Sequence, residues 1–150
     1  MAALVVFVDQ LSKALVITNF EPGKLSPLIG DLIQFNLVFN DSAAFSIGFG
    51  ATTVFAVISS VAALIFLWLS SKVETKSWAI LLGVALGGVV GNLVDRLTRE
   101  PGFGRGWVVD FIQIPFNFPV FNLADTAIFI VAVITVIRVM RGDKIGKAKN

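Results

Sequence analysis

Ala51-Thr-Thr-Val-Phe-Ala-Val-Ile-Ser-Ser-Val-Ala-Ala-Leu-Ile-Phe-Leu-Trp-Leu69 carries no charged side chain. A helix rises about 1.5 Å per residue and a bilayer core is about 30 Å thick, so this run is long enough to span a membrane. Working outward, Trp78–Val94 follows after a short polar turn, Leu123–Val139 lies towards the C-terminus, and Ala2–Ile17 lies at the N-terminus. The last of these is short, near the lower limit of about 17–25 residues for a spanning helix. We therefore expect an all-α membrane protein with four spans (about 2–17, 51–69, 78–94 and 123–139), forming a single integral-membrane domain over residues 1–150.

Composition agrees. The chain is 56% hydrophobic and 15% charged, with a mean hydropathy of +0.87, whereas soluble domains are about 45–50% apolar and about 25% charged. The first segment does not read as a cleavable signal peptide, because it lacks a basic leading region and Asp9 and Lys13 interrupt its apolar run. Only eight residues precede Asp9, which leaves the completeness of the N-terminus open. There is no Cys and no His, which excludes disulfides, thiolate nucleophiles, imidazole bases and His–Cys zinc sites. Carboxylates, Lys, Ser or Thr must carry any chemistry. The formal charge of +2 is spread without a basic stripe, so no nucleic-acid partner is expected.

Orientation follows from Lys and Arg. Lys72 and Lys76 lie between the second and third spans, and Arg138, Arg141, Lys144, Lys147 and Lys149 close the chain. Both regions are expected in the cytoplasm, with both termini inside and the loops Thr18–Gly50 and Leu97–Phe121 outside; Arg99 and Arg105 weaken this bias without reversing it. The first loop contains Leu32-Ile-Gln-Phe-Asn-Leu-Val-Phe39, rich enough in β-formers for a strand or hairpin lying on the membrane. The second opens with the flexible-looking Pro101-Gly-Phe-Gly-Arg-Gly106 and continues with Trp107, Phe111, Phe116, Phe118 and Phe121, a density of aromatics that suits the lipid–water interface.

Four polar clusters interrupt the apolar sequence: Asp9 with Lys13, Asn92 with Asp95 and Arg96, Asp110 among Val108, Val109, Phe111 and Ile112, and Asn122 with Asp125. An ionisable group in a span costs roughly 2.5–3.5 kcal/mol on insertion scales, which marks such groups as functional candidates. Each cluster also has a structural reading. Asp9 and Lys13, at i and i+4, can neutralise each other; Asp95 and Arg96 can form an ion pair at a helix end; Asn122 and Asp125 fit an N-cap and its N3 acid. Asp110 is harder to explain structurally, because a carboxylate in apolar surroundings needs a partner or a raised pKa. Gly83, Gly87 and Gly91 recur every four residues and permit close helix contact. The topology brings Asp95, Asp110 and Asp125 to one membrane boundary.

Two neighbouring carboxylates cannot both ionise readily and share a proton. One then serves as base on a water, while the protonated partner polarises a carbonyl or protonates a leaving amine. Asp125 at a helix N-terminus favours the ionised role and Asp110 the protonated one. Together with Asn40 followed by Ala43-Ala44-Phe45, and with the segments Asp9-Gln10…Lys13, Gly91-Asn92…Asp95-Arg96, Val109-Asp110-Phe111 and Phe121-Asn122…Ala124-Asp125, the chain resembles the lipoprotein signal peptidase (signal peptidase II) family of aspartic endopeptidases.

That resemblance implies four membrane helices with a small extracytoplasmic β-cradle, in the bacterial cytoplasmic (inner) membrane. It implies Asp110 and Asp125 as the catalytic dyad. Asn40, Asn92, Arg96 and Asn122 would line the site, with Asp9, Lys13 and Asp95 supporting it. The substrate would be a diacylglyceryl-modified prolipoprotein cut just before its lipidated cysteine. A monomer embedded in membrane lipid is expected, with no cofactor and no metal. One departure is Ser42, where the family usually has Gly; Ser adopts positive φ less readily. Two rival readings are a Ser–Lys peptidase using Lys13 with Ser12 or Ser42, and a small proton-coupled transporter using intramembrane Asp residues. A purely structural membrane subunit explains the hydrophobicity but not the gathering of acids at one face.

The topology is open to a direct check. With no native Cys, Gly104→Cys should react with an impermeant thiol reagent on intact cells, and Lys72→Cys only after permeabilisation. The opposite pattern would invert the orientation.

Overall fold

A computed structural model describes residues 1–41 and 51–145. Ser42, the Ala43-Ala44-Phe45 segment, Lys147 and Lys149 lie outside the described residues. In chain order the elements are α1 (Ala2–Asn19), β1 (Ser26–Ile29), β2 (Ile33–Asn40), α2 (Ala51–Ser70), α3 (Lys76–Thr98), β3 (Val108–Gln113) and α4 (Leu123–Met140). Among the described residues, all four helices are long and apolar enough to cross a membrane. Large apolar side chains such as Phe7, Leu15, Leu64 and Phe129 are exposed on their surfaces, as expected where lipid rather than a protein core is the neighbour.

The expected spans differ from the helices mainly at their ends. The third helix starts at Lys76, capped by the Thr75 hydroxyl, which accepts from the Trp78 amide. It continues to Thr98, so Asp95 and Arg96 lie within it rather than at its end. This helix is the hub of the bundle, packing against α1, α2 and α4. The glycine stripe explains its closeness to α1. A Cβ on Gly87 would lie 2.6 Å from Val5 Cβ and 2.8 Å from the Ala2 carbonyl oxygen, and one on Gly91 would lie 2.7 Å from Asp9 Oδ2. Gly88 does the same towards α4, where a Cβ would meet the Ala124 carbonyl oxygen at 2.6 Å.

The β-forming run Leu32–Phe39 is found as β2, paired with β1 in an antiparallel sheet of order β1-β2-β3. The third strand corrects the sequence reading: Asp110 lies on β3, not in an irregular loop. Val109 and Phe111 are both buried, though they flank Asp110 and point to the opposite face, so the strand is covered on both sides and shows no polar alternation. The Pro101–Gly106 stretch is likewise tied down, with Gly106 N–H on the Arg96 carbonyl and Trp107 N–H on that of Glu100. Val16, Leu37, Val109 and Phe111 form a small core that seats the sheet on the end of α1. Phe121 exchanges backbone hydrogen bonds with Ile112, which pins β3 to the residue preceding Asn122.

Because the Gly87 contact is with backbone as well as side chain, Gly87→Val should destabilise the folded protein by about 1–3 kcal/mol through overpacking. Thermal unfolding in detergent reads this, and Ile80→Ala, on an exposed helix face, should leave the midpoint nearly unchanged.

Candidate active site

Asp125 is placed by the local grammar of a helix start. Asn122 is the N-cap of α4 and Asp125 its N3 residue; the Asn122 side chain accepts from Asp125 N–H at 3.0 Å, and Asp125 Oδ2 accepts from Asn122 N–H at 3.1 Å. Both expected helix-start roles are therefore present in one reciprocal capping box. Asp110 reaches the same place from β3. Asn122 Nδ2 donates to Asp110 Oδ1 at 2.6 Å, so one residue serves both acids, its side chain holding the Asp110 carboxylate and its backbone N–H the Asp125 carboxylate. Asn40, diagonal to Asp110 across the β2–β3 ladder, donates to Asp110 Oδ2 at 2.7 Å. Asn92 Nδ2 donates to Asp125 Oδ1 at 2.7 Å. All four carboxylate oxygens thus receive an N–H.

Behind this layer lies a buried charge cluster. Lys13 is fully buried; its ammonium sits 2.9 Å from Asp9 Oδ2, 2.8 Å from Asp95 Oδ2 and 3.0 Å from Asn92 Oδ1. Asp9 accepts from the Ala124 amide at 3.0 Å, and Asp95 from the Val109 amide at 3.1 Å. The expected Asp9–Lys13 pair is present, but as part of a larger cluster. The expected Asp95–Arg96 pair is corrected: the cations on Asp95 are Lys13 and, at 2.7 Å, Arg99. Successive residues on a helix point about 100° apart, whereas i and i+4 are neighbours. Arg96 turns instead towards the acids, its guanidinium 5.7 Å from the Phe55 ring centroid and its Nη1 donating to the Asn92 carbonyl at 3.3 Å.

Asp110, Asp125, Asn40, Asn92 and Arg96 line a cavity of about 330 Å³, walled on its apolar side by Val108 and the Phe118–Phe121 segment. Burial pushes the Asp110 carboxyl up to about 7; the Asn40 hydrogen bond opposes this, the Asp125 charge adds to it, and Asn122 and Lys13 oppose it. An acid that titrates near neutrality beside a second acid is suited to proton exchange.

The family described as Signal peptidase (SPase) II matches residues 1–141. The chain belongs to the signal peptidase II family. Among its relatives, the lipoprotein signal peptidase of Leifsonia xyli subsp. xyli is 46% identical over 127 residues, which is 85% of this chain and 59% of that protein. The lipoprotein signal peptidase of Mycobacterium avium is 38% identical over 152 residues, covering 99% of this chain and 83% of the relative. A solved structure described as a bacterial membrane enzyme determined by the in meso method at 2.3 Å resolution is 25% identical. It superimposes with a TM-score of 0.83 over 99% of this chain and 90% of that one. Within this signal peptidase II fold, all nine singled-out site residues converge: Asn40, Asn92, Arg96, Asp110 and Asp125 on the cavity, and Asn122, Asp9, Lys13 and Asp95 directly behind it.

Two partners, Gln10 and Arg99, carry no site role in the sequence reading. Gln10 Nε2 lies within 3.1 Å of Asp9 Oδ2 and the Gly91 carbonyl and 3.0 Å from Asp95 Oδ1, bridging α1 to α3. An amide inside an apolar helix was the available signal. Arg99, an outer-loop charge in the sequence reading, is the C-cap residue that follows α3 and pairs back onto Asp95. Asp95→Asn should weaken both ion pairs and lower stability by on the order of 3 kcal/mol, while turnover per folded molecule falls much less than in an Asp110 or Asp125 variant. Unfolding in detergent, with activity normalised to folded protein, measures both effects.

Proposed function

We propose that the protein is an intramembrane aspartic endopeptidase that removes the signal peptide from diacylglyceryl-modified prolipoproteins, cutting just before the lipidated cysteine. The observation that carries this reading is that Asp110 and Asp125 line a single cavity and are tied to one residue, Asn122, whose side chain donates to Asp110 Oδ1 and whose backbone N–H donates to Asp125 Oδ2. The relatives named above are lipoprotein signal peptidases, which supplies the substrate class. The charge bias of the loops supports a site near the outer face, with both termini cytoplasmic.

In this mechanism Asp110 carries the shared proton and Asp125 is ionised. Asp125 takes a proton from a water as the water oxygen attacks the carbonyl carbon preceding the cysteine. Asp110 donates its proton to the carbonyl oxygen, which becomes a hydroxyl of the tetrahedral intermediate. On collapse that hydroxyl returns its proton to Asp110, the C–N bond breaks, and the proton held by Asp125 passes to the leaving cysteine amine. Water is consumed and the acid pair is restored. Arg96 lends positive charge to the cavity wall. The Ser–Lys alternative is disfavoured by geometry: Ser12 Oγ donates to the Asp9 carbonyl at 2.7 Å, while the Lys13 ammonium is engaged by Asp9, Asp95 and Asn92.

The test is cleavage of a diacylated prolipoprotein by the purified protein in detergent. Asp110→Asn and Asp125→Asn should each lose about a thousandfold or more of turnover, and the double variant should be scarcely worse, because paired residues are strongly non-additive. Substantial turnover by either single variant overturns the aspartic mechanism.

Acidity gives a second expectation. The Asp110 carboxyl rises from 3.8 to about 7 on folding, so its protonated form is the one favoured by the fold. Its contribution to stability is complete below about 4 and is lost as pH rises towards 7. Turnover should accordingly decline above about pH 7, where Asp110 ionises. The thermal midpoint should fall between pH 4 and 7, and that slope should be absent in Asp110→Asn.

A further inference from the structure

The three asparagines of the site are useful only in one orientation. An amide presents a donor on one side and an acceptor on the other, and turning it over exchanges them. Asn122 is fixed by the backbone, since its Oδ1 accepts from Asp125 N–H and its Nδ2 must face Asp110 Oδ1 and Asn92 Oδ1. Among the described residues, no backbone group contacts the Asn92 side chain. Its Oδ1 instead accepts from two donors, Lys13 Nζ at 3.0 Å and Asn122 Nδ2 at 3.0 Å, which leaves Nδ2 to face Asp125 Oδ1.

From this geometry we infer that Lys13 is a positioning residue for the peptidase reaction: its buried ammonium locks the Asn92 amide so that a donor faces Asp125. The inference rests on the aspartic reading above. Turned over, Asn92 would set an amide nitrogen against the ammonium and an oxygen against Asp125 Oδ1, donor facing donor and acceptor facing acceptor. Asp125 would lose its side-chain donor and Asn122 one of its acceptors. An uncharged residue in place of Lys13 removes the charged donor from Asn92 Oδ1 and weakens the discrimination between the two orientations, leaving only Asn122 Nδ2 on that oxygen.

The charged groups gathered here come from three helices and one strand. Asp9 and Lys13 lie on α1, Asp95 and Arg96 on α3 with Arg99 at its C-cap, Asp110 on β3, and Asp125 on α4. Besides orienting Asn92, the Lys13 charge also holds the Asp110 carboxyl down. Its removal should therefore displace the alkaline limb of activity to higher pH. A residue that only cemented the helices would change the amount of folded enzyme without moving that limb.

Replacing Lys13 alone leaves two carboxylates facing each other without their shared cation, so the variant is built in a charge-balanced form, Asp9→Asn with Lys13→Met, compared with Asp9→Asn alone. Asn at position 9 retains an oxygen for the Ala124 amide. Folding is checked by unfolding in detergent. At pH 7 the Lys13 replacement should lower kcat about tenfold with KM changed less than about twofold, and shift the alkaline limb upward by roughly half a unit.

Introduced into an Asn92→Ala background, the same replacement should cost less than about twofold in kcat, because the amide through which it acts is gone. Infrared titration of the buried carboxyl, which needs no substrate, should show the same upward displacement. If the parent protein fails to cleave, that titration still reads the network, and the aspartic reading fails separately. An equal kcat loss with and without Asn92, an unmoved limb, or failure of the charge-balanced protein to fold would each overturn the positioning role.

Discussion

A fully buried ammonium in a membrane helix is tolerable only if opposite charge and hydrogen-bond acceptors surround it. Lys13 meets that condition with two carboxylates and an amide oxygen, and the geometry this demands organises the protein. Asp9 comes from its own helix, Asp95 and Asn92 from α3, so α1 and α3 must approach closely; Gly87 and Gly91 make the approach possible. The carboxylates then spend their remaining lone pairs on backbone amides. Asp9 holds the first turn of α4 through Ala124, and Asp95 holds β3 through Val109. Arg99 supplies the second positive charge, so that Asp9, Asp95, Lys13 and Arg99 sum to zero. A single neutral cluster thereby fixes three helices and the strand that carries Asp110.

The layer in front of this cluster is made of amides rather than further charges. Asn40, Asn92 and Asn122 come from β2, α3 and the start of α4. A neutral side chain with both donors and an acceptor can hold a carboxylate without fixing its protonation through a full opposite charge. That suits a pair of acids that must exchange a proton, because a lysine in direct contact with either would hold it ionised. Lys13 acts from one residue further back, where its charge is largely absorbed by Asp9 and Asp95.

Much of this was legible in the sequence, and the failures have physical causes. The spans were visible because lipid-facing helices need unbroken apolar length. The helix start at Asn122–Asp125 was visible because a capping box is local. Strand β3 was not, since Val108–Gln113 is buried on both faces and lacks the period-two pattern that marks a half-exposed strand. Adjacency in sequence points to Arg96 as the partner of Asp95, but side chains next to each other on a helix diverge, and the i+4 residue Arg99 and the distant Lys13 are the ion-pair partners. The contribution of Gln10 depends on two helices meeting, which no single-segment pattern reveals.

The capping box at the head of α4 has a consequence for how this chain can change over time. Asn122 and Asp125 are coupled through three-residue spacing, and one inserted or deleted residue between them would swing the carboxylate about 100° around the helix axis. The same slip would part Asn122, which holds the Asp110 carboxylate through its side chain, from the Asp125 carboxylate that its backbone N–H holds. Substitutions along the outer surface of α4, at Phe129, Ile130, Val133 or Val136, meet no such phase requirement because those side chains are exposed to the surroundings of the bundle. Length is therefore frozen at the mouth of the helix while composition is free along its exposed flank.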